Sequence, residues 1–261
     1  MPETRARESQ GGESPASESP VSESGAALPP ERGGYGQFCP VAMAAEIVCT
    51  RWTVLVLREM FAGSTRFNDL RRGVPRMSPA LLSKRLRDLQ EAGIVERGDD
   101  DTGGGHAYRL TVAGQELRPI VESLGVWGQR WVQSQVTLRN LDPSLLMWDM
   151  RRNLDPAPMP ARRCTVQFLY PELPPARQAW WLVIEPGRQI DLCSVDPGFE
   201  VDLYVETDLR TMTAIWMGLA TVAREVGAGR LRLSGSSLLR DTMERWLGLS
   251  PFAKERKRAA L

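Results

Sequence analysis

The 261-residue sequence has little of the chemistry that most enzymes and metal sites need. It contains one histidine, His106, so His-based metal cages and Ser/His/Asp or Cys/His catalysis are not expected. No stretch without a charged residue exceeds 13 residues, which is short of the roughly 20 needed for a transmembrane helix. The first residues lack the apolar core of a signal peptide. We therefore expect a cytoplasmic protein that is not an enzyme, with no cofactor, no metal and no membrane partner.

Net charge is also nearly absent, at +1 from 33 basic and 32 acidic residues, but the charges are unevenly distributed. Residues 1–36 carry a net charge of −3 and few large apolar side chains, a composition typical of a disordered tail. Residues 51–87 contain nine basic and two acidic residues, a local net charge of +7. The total net charge is small because basic and acidic segments of the chain cancel. The basic segment favours a nucleic-acid partner.

The basic segment coincides with a predicted helix-turn-helix. Helical periodicity and glycine stops predict three short helices, over 39–49, 52–63 and 66–73. A turn follows, and Ser78-Pro79 is typical of the first residues of a fourth helix, over 80–92.

The fourth helix has the composition of a DNA-recognition helix. Its apolar face is formed by Leu82, Leu86 and Leu89, whereas the opposite face is small, polar and basic in its N-terminal half. A helix of this kind fits the major groove, where lysine and arginine reach phosphates and guanine edges. Two strands predicted at 94–98 and 106–111 form a glycine-rich wing after it. The residues expected to contact DNA are Arg66, Ser78, Ala80, Ser83, Lys84, Arg85, Arg87 and Arg97.

A long amphipathic helix is predicted after the wing, beginning at the cap residue Thr111. Its apolar residues recur at intervals of three and four. Such a stripe packs either within the chain or against a second copy. Because a winged helix has little core left to cover after its wing, we expect a homodimer seam. Its residues are Leu117, Ile120, Leu124, Trp127 and Trp131.

Six sequence blocks follow one another between residues 38 and 133. They are CPVA (39–42), RWTVLVLRE (51–59), RFNDLRR (66–72), MSPALLSKRL (77–86), LQEAGIV (89–95) and YRLTVAG (108–114). Together they resemble the HxlR-type winged helix transcriptional regulators. The resemblance implies a dimeric bacterial regulator, here expected to be a repressor, that binds double-stranded DNA at a palindromic operator through the helix over 78–90.

Cys39 has a further implication under this resemblance. In some members of the family, the cysteine before this proline senses oxidants or electrophiles. A thiol at a helix N-terminus feels the positive end of the helix dipole, which lowers its pKa and raises the reactive thiolate fraction. The alternative is a small apolar residue that packs the first helix. We favour packing and keep Cys39 as the redox-sensing candidate.

A second unit is predicted over 161–250, after a linker over 136–160 that combines a short helix with a proline-rich joint. Its last part runs as a strand, Asp-Leu, an apolar helix, Gly-Arg-Leu-Arg-Leu-x-Gly and a helix. That order resembles the sterol-carrier-protein type of lipid-binding domain, which implies an α+β fold with a site for a small apolar ligand. The alternative is that these side chains only fill a core. The expected lining residues are Trp181, Met212, Trp216, Leu219 and Met243.

The sequence thus predicts a mixed α/β chain. A mostly α winged helix with a two-stranded wing occupies 37–135, the sterol-carrier-like α+β domain occupies 161–250, and a basic tail, expected to be frayed, occupies 251–261. The expected function is sequence-specific transcriptional regulation in response to a small apolar ligand. Two alternatives stay open: a thiol-redox regulator acting through Cys39 with a purely structural C-terminal domain, and a lipid-binding carrier.

Overall fold

The computed structural model describes residues 34–99, 105–132 and 141–258. Residues 1–33 of the predicted disordered tail, and most of the predicted wing tip, lie outside the described residues. The described part contains an N-terminal unit, up to residue 132, and a C-terminal unit that begins at residue 141.

The N-terminal unit has the element order of a winged helix. The predicted four helices and two antiparallel strands are confirmed, with ends shifted by a few residues. They are α1 (Pro40–Val48), α2 (Thr53–Phe61), α3 (Phe67–Gly73), α4 (Pro79–Glu91), β1 (Val95–Asp99) and β2 (His106–Leu110).

The chain after the wing forms two helices where one was predicted. These are α5 (Val112–Glu116) and α6 (Arg118–Trp131). The break falls just before Pro119, which has no amide hydrogen to donate to the carbonyl four residues earlier. The prediction of a single helix was therefore wrong at this point, while its start at the Thr111 cap is confirmed by a hydrogen bond from the Gly114 amide to the Thr111 hydroxyl.

Helix α4 is held by local signals at both ends and by core packing along one side. The Ser78 hydroxyl accepts a hydrogen bond from the Leu81 amide at 3.3 Å, and Pro79 occupies the first turn. After the helix, Gly93 adopts a left-handed φ of 69°, which turns the chain toward β1. Leu82, Leu86 and Leu89 are fully or almost fully buried. The core they join contains Val56, Leu57, Met60, Leu70, Val74, Met77, Ile94 and Val95.

The C-terminal unit is built on one five-stranded sheet with helices packed against it, as the α+β prediction requires. In order across the sheet, the strands are β5 (Asp191–Cys193), β4 (Ala179–Ile184), β3 (Cys164–Leu169), β6 (Leu203–Thr207) and β7 (Leu231–Gly235). Only the β3–β6 pair among these is parallel. The helices are α7 (Pro143–Asn153), α8 (Pro175–Gln178), α9 (Leu209–Trp216), α10 (Val222–Gly227), α11 (Ser237–Asp241) and α12 (Met243–Trp246). The sterol-carrier resemblance stays a prediction.

The five residues predicted to line a ligand site do not form one group. Met212, Trp216 and Met243 are buried together in the core of the C-terminal unit. Leu219 follows the end of α9 and is half-buried. Trp181 faces the other side of the sheet, because side chains alternate along a strand and its neighbour Trp180 points into that core. A cleft of about 340 Å³ in this unit is lined by other residues, among them Met159, Arg162 and Ile184.

Two predicted boundaries are corrected by packing. The helix placed in the linker, α7, belongs to the C-terminal unit, since its Met147 and Met150 are fully buried in that core. The tail predicted to be frayed is ordered over 251–258, where it packs along α6. The Phe252 ring lies against Gly125, close enough that a Cβ there would meet the ring at 2.2 Å. The Glu255 carboxylate lies 2.6 Å from Arg130 Nη2.

No single helix among the described residues is long and apolar enough to cross a membrane. Helices α1 and α2 meet that length and composition test only as a pair, with a bend of 80° between them. Over the same ranges, no group of three or more His, Cys, Asp and Glu side chains is arranged to hold a metal ion.

Candidate nucleic-acid interface

The outer face of α4 presents the small, polar and basic surface that was predicted for it. Ser78, Ala80, Lys84 and Arg87 are exposed, and Ser83 is half-buried beside them. The Lys84 ammonium lies 3.0 Å from Asp88 Oδ1 one turn later, with its side chain still mostly exposed. The buried leucines fix this face outward, because they occupy the opposite side of the same helix.

Arg85 does not share this surface, which corrects the prediction that it contacts DNA. Its side chain is only 11% exposed, and its Nη1 lies 2.8 Å from Asp88 Oδ2. One carboxylate of α4 therefore binds both Lys84 and Arg85. Arg85 was predicted from its charge, but on the helix it lies beside the buried leucines rather than on the polar face.

Exposed basic residues on two further elements were also predicted to contact DNA. Arg66 is exposed at the residue that caps α3, and Arg97 is exposed on β1, opposite Tyr108. Arg71 and Arg72 are also exposed, at the end of α3, although they were not among the predicted contacts. Their signal in the sequence was the +7 segment, which does not say which of its members stay on the surface.

With its exposed basic second helix and its antiparallel wing, the N-terminal unit is similar to known helix-turn-helix proteins. The family model described as HxlR-like helix-turn-helix matches residues 47–136. The uncharacterized HTH-type transcriptional regulator YvaP of Bacillus subtilis is 31% identical over 112 residues, which cover 42% of this chain and 95% of that protein. This chain belongs to the HxlR-like helix-turn-helix family. The resemblance of residues 38–133 is thereby confirmed.

Two further proteins are similar to part of this chain. The uncharacterized HTH-type transcriptional regulator Rv3095 of Mycobacterium tuberculosis is 42% identical over 98 residues, covering 35% of this chain and 58% of that protein. Among solved structures, the redox regulator HypR in its reduced form is 32% identical and covers 35% of this chain and 91% of that one, with a TM-score of 0.33.

Helix α6 of this HxlR-like chain carries an exposed apolar stripe. Ile120, Leu124 and Trp127 expose 53%, 51% and 54% of their surface, and with Pro119 and Ser123 they line a shallow groove. The other two predicted seam residues, Leu117 and Trp131, are engaged within the chain. Leu117 packs against the N-terminal core, and the Trp131 ring lies 5.9 Å from the Arg258 guanidinium.

Cys39 lies where a reactive thiol is expected, at the residue that caps the N-terminus of α1. It is half-buried, and α1 has no buried residue, so the packing role favoured from the sequence and the sensing role both stay predictions. The backbone amides of Ala42 and Val41 hold the pKa of the Cys39 thiol below its ordinary value. Burial instead raises the pKa of Cys164 and Cys193.

We expect iodoacetamide to alkylate Cys39 at a lower pH in the folded protein than in the denatured chain. The thiolate is the nucleophile, and the helix amides that stabilise it exist only in the folded state. Peptide mass spectrometry over a pH series measures both profiles, with buried Cys164 as the matched control that should shift to higher pH on folding. Equal midpoints for folded and denatured Cys39 would refute the stabilised thiolate.

Proposed function

We propose that this HxlR-like protein binds a palindromic DNA operator as a homodimer and represses transcription. The observation that carries the proposal is the outer face of α4, which is open to solvent, small at its N-terminal end and basic along its length. In helix-turn-helix proteins the second helix lies in the major groove, and the residues of its N-terminal half contact base edges. Ser78, Ala80, Ser83, Lys84 and Arg87 then face the bases and the adjoining phosphates.

Charge supports the same docking. The net +7 of residues 51–87 is spread over α2, α3, the first turns of α4 and the residues between these helices, so the nearly neutral chain still presents a local field that attracts phosphate. Arg66 and Arg97 extend this basic surface from α4 to its two neighbours in the fold. DNA is therefore the partner that this surface fits.

Replacing Lys84 or Arg87 by Ala is expected to weaken operator binding by about 1–3 kcal/mol where the side chain reads a base. The probe is a duplex that the unaltered protein selects from a randomised pool, and fluorescence anisotropy at several salt concentrations gives the affinity. The control is Arg188→Ala, an exposed arginine of the C-terminal unit that pairs only with Glu185 among the described contacts. Unchanged affinity in both α4 variants would rule out this docking.

The dimer is proposed through α6. A palindromic operator has two-fold symmetry, and the repressor that reads it presents one recognition helix to each half-site. Ile120, Leu124 and Trp127 form a continuous apolar stripe on α6 that no other described part of the chain covers. Pairing two such stripes removes the apolar surface from water and supplies the second recognition helix.

Leu124→Glu is expected to convert the dimer to a monomer, because it places a charge at the centre of the apolar stripe. Light scattering at a series of protein concentrations measures the mass. The matched control is Val112→Glu, which puts the same charge at another exposed apolar side chain, outside the stripe. If Leu124→Glu keeps the mass of the unaltered protein, α6 is not the seam.

Cys39 gives a second candidate for regulation, since its half-exposed thiol and lowered pKa favour thiol sensing. The predicted apolar ligand has weaker support, because Met212, Trp216 and Met243 pack against one another in the core and Trp181 lies on the other sheet face. A ligand in the C-terminal unit, and the lipid-carrier alternative with it, stay predictions.

A further inference from the structure

Glu59 of α2 is a fully buried carboxylate at the contact between the two units. Its Oε1 accepts hydrogen bonds from Arg58 Nη2 at 2.6 Å and Arg58 Nε at 3.1 Å. Its Oε2 accepts from Arg152 Nη1 at 2.7 Å and from the Trp148 indole Nε1 at 3.3 Å. A buried charge is tolerated only when it is paired and hydrogen-bonded, so this arrangement depends on all three donors.

Two of the three donors come from α7, outside the N-terminal unit. The position of α7 is set by the C-terminal core, into which Met147 and Met150 are fully buried. Arg152 is itself only 13% exposed, and it also pairs with Asp149 on the same helix. The contact thus joins a helix fixed by one core to a helix fixed by the other.

The end of α3, the first helix of the helix-turn-helix, is attached to the same cluster. Arg58 Nη2 donates to the carbonyl oxygen of Gly73, the last residue of α3, at 2.9 Å. Gly73 packs so closely on Glu59 that a Cβ would lie 1.8 Å from the carboxylate carbon. The preceding residue, Arg72, places its guanidinium 5.2 Å from the centre of the Trp148 ring, with 61% of its side chain exposed.

We infer that α7 of the C-terminal unit positions the helix-turn-helix on DNA, with Arg152 acting through Glu59 and Trp148 acting through Arg72. The inference rests on the proposed DNA binding. In helix-turn-helix complexes the first helix crosses the DNA backbone, so the placement of α3 sets how α4 enters the groove. Arg72, which stacks on Trp148, lies 3.4 Å from Asp69 and is still exposed, is an α3 side chain placed to contact a phosphate. Trp148 and Arg152 follow the segment that matches the family model, which ends at residue 136.

The first arm of the test replaces both partners of the Glu59–Arg152 ion pair, so that neither of these two charges is left buried alone. Asp149, which also pairs with Arg152, keeps a quarter of its side chain exposed. The Glu59→Gln/Arg152→Met double variant of the full chain is expected to keep its thermal unfolding midpoint within a few degrees, since replacing both partners of a buried pair is often neutral. Its affinity for the selected duplex is expected to fall about tenfold. Arg188→Met is the control for loss of an arginine outside the contact. A folded double variant with unchanged affinity overturns the role of Arg152.

The second arm measures Trp148 through the salt dependence of binding, which a purely stabilising role does not alter. Arg72→Ala is expected to lower the slope of log affinity against log salt by about 0.9, the loss of one phosphate contact. Trp148→Leu should lower this slope by the same amount, whereas Trp148→Phe should retain the slope of the unaltered protein because an aromatic face remains. The double variant Arg72→Ala/Trp148→Leu should lower the slope no further than Arg72→Ala alone. Additive losses, or an unchanged slope in Trp148→Leu, overturn the role of Trp148.

The two proposals fail in different ways. If the unaltered chain selects no duplex and shows no salt-dependent DNA affinity, the proposed function fails and the positioning role fails with it. If the unaltered chain binds and the variants of both arms bind equally well, only the positioning role is overturned.

Discussion

The burial of one carboxylate constrains how the two halves of this protein are arranged. Glu59 lies at a spacing on α2 that places it beside the core residues Val56 and Met60, where an unpaired charge would be strongly destabilising. Its countercharges are Arg58, on α2 itself, and Arg152, and Trp148 adds a neutral donor. Because Arg152 and Trp148 lie on α7, the N-terminal unit completes the pairing of its buried carboxylate only when the C-terminal unit is in place.

A second contact leads from the C-terminal unit to α6. The segment 251–258 runs along that helix, where Phe252 packs on Gly125 and Glu255 pairs with Arg130. Gln129 is buried on α6 and donates from Nε2 to the carbonyl oxygen of Met217 at 3.1 Å. The C-terminal unit therefore touches both the helix-turn-helix and the helix proposed as the dimer seam. Any change in that unit has a physical route to the spacing and the orientation of two recognition helices.

Local sequence signals predicted the elements, and long-range packing decided what the signals left open. Ser78-Pro79 and the leucine spacing located α4, and alternating strands located the C-terminal sheet, because caps and periodicity act over a few residues. Arg85 was placed wrongly because it was chosen for its charge, although its spacing on α4 puts it beside the buried Leu89. The frayed tail was also wrong, because composition does not reveal that Phe252 has a groove at Gly125. Glu59 occupies a position of α2 where the helical spacing calls for an apolar residue, so its burial could be detected in the sequence. Its partner Arg152 is 93 residues away, and no local pattern connects the two.

The contact at Glu59 is expected to hold α3 and α7 as one cooperative body. Native-state hydrogen exchange on the full chain, read at amides of α2, α3 and α7, tests this directly. We predict that the slowest amides of α3 open with the same free energy as those of α7, and that both respond alike to denaturant. Amides of α3 that exchange through a separate, lower-energy opening while α7 stays protected would contradict the claim.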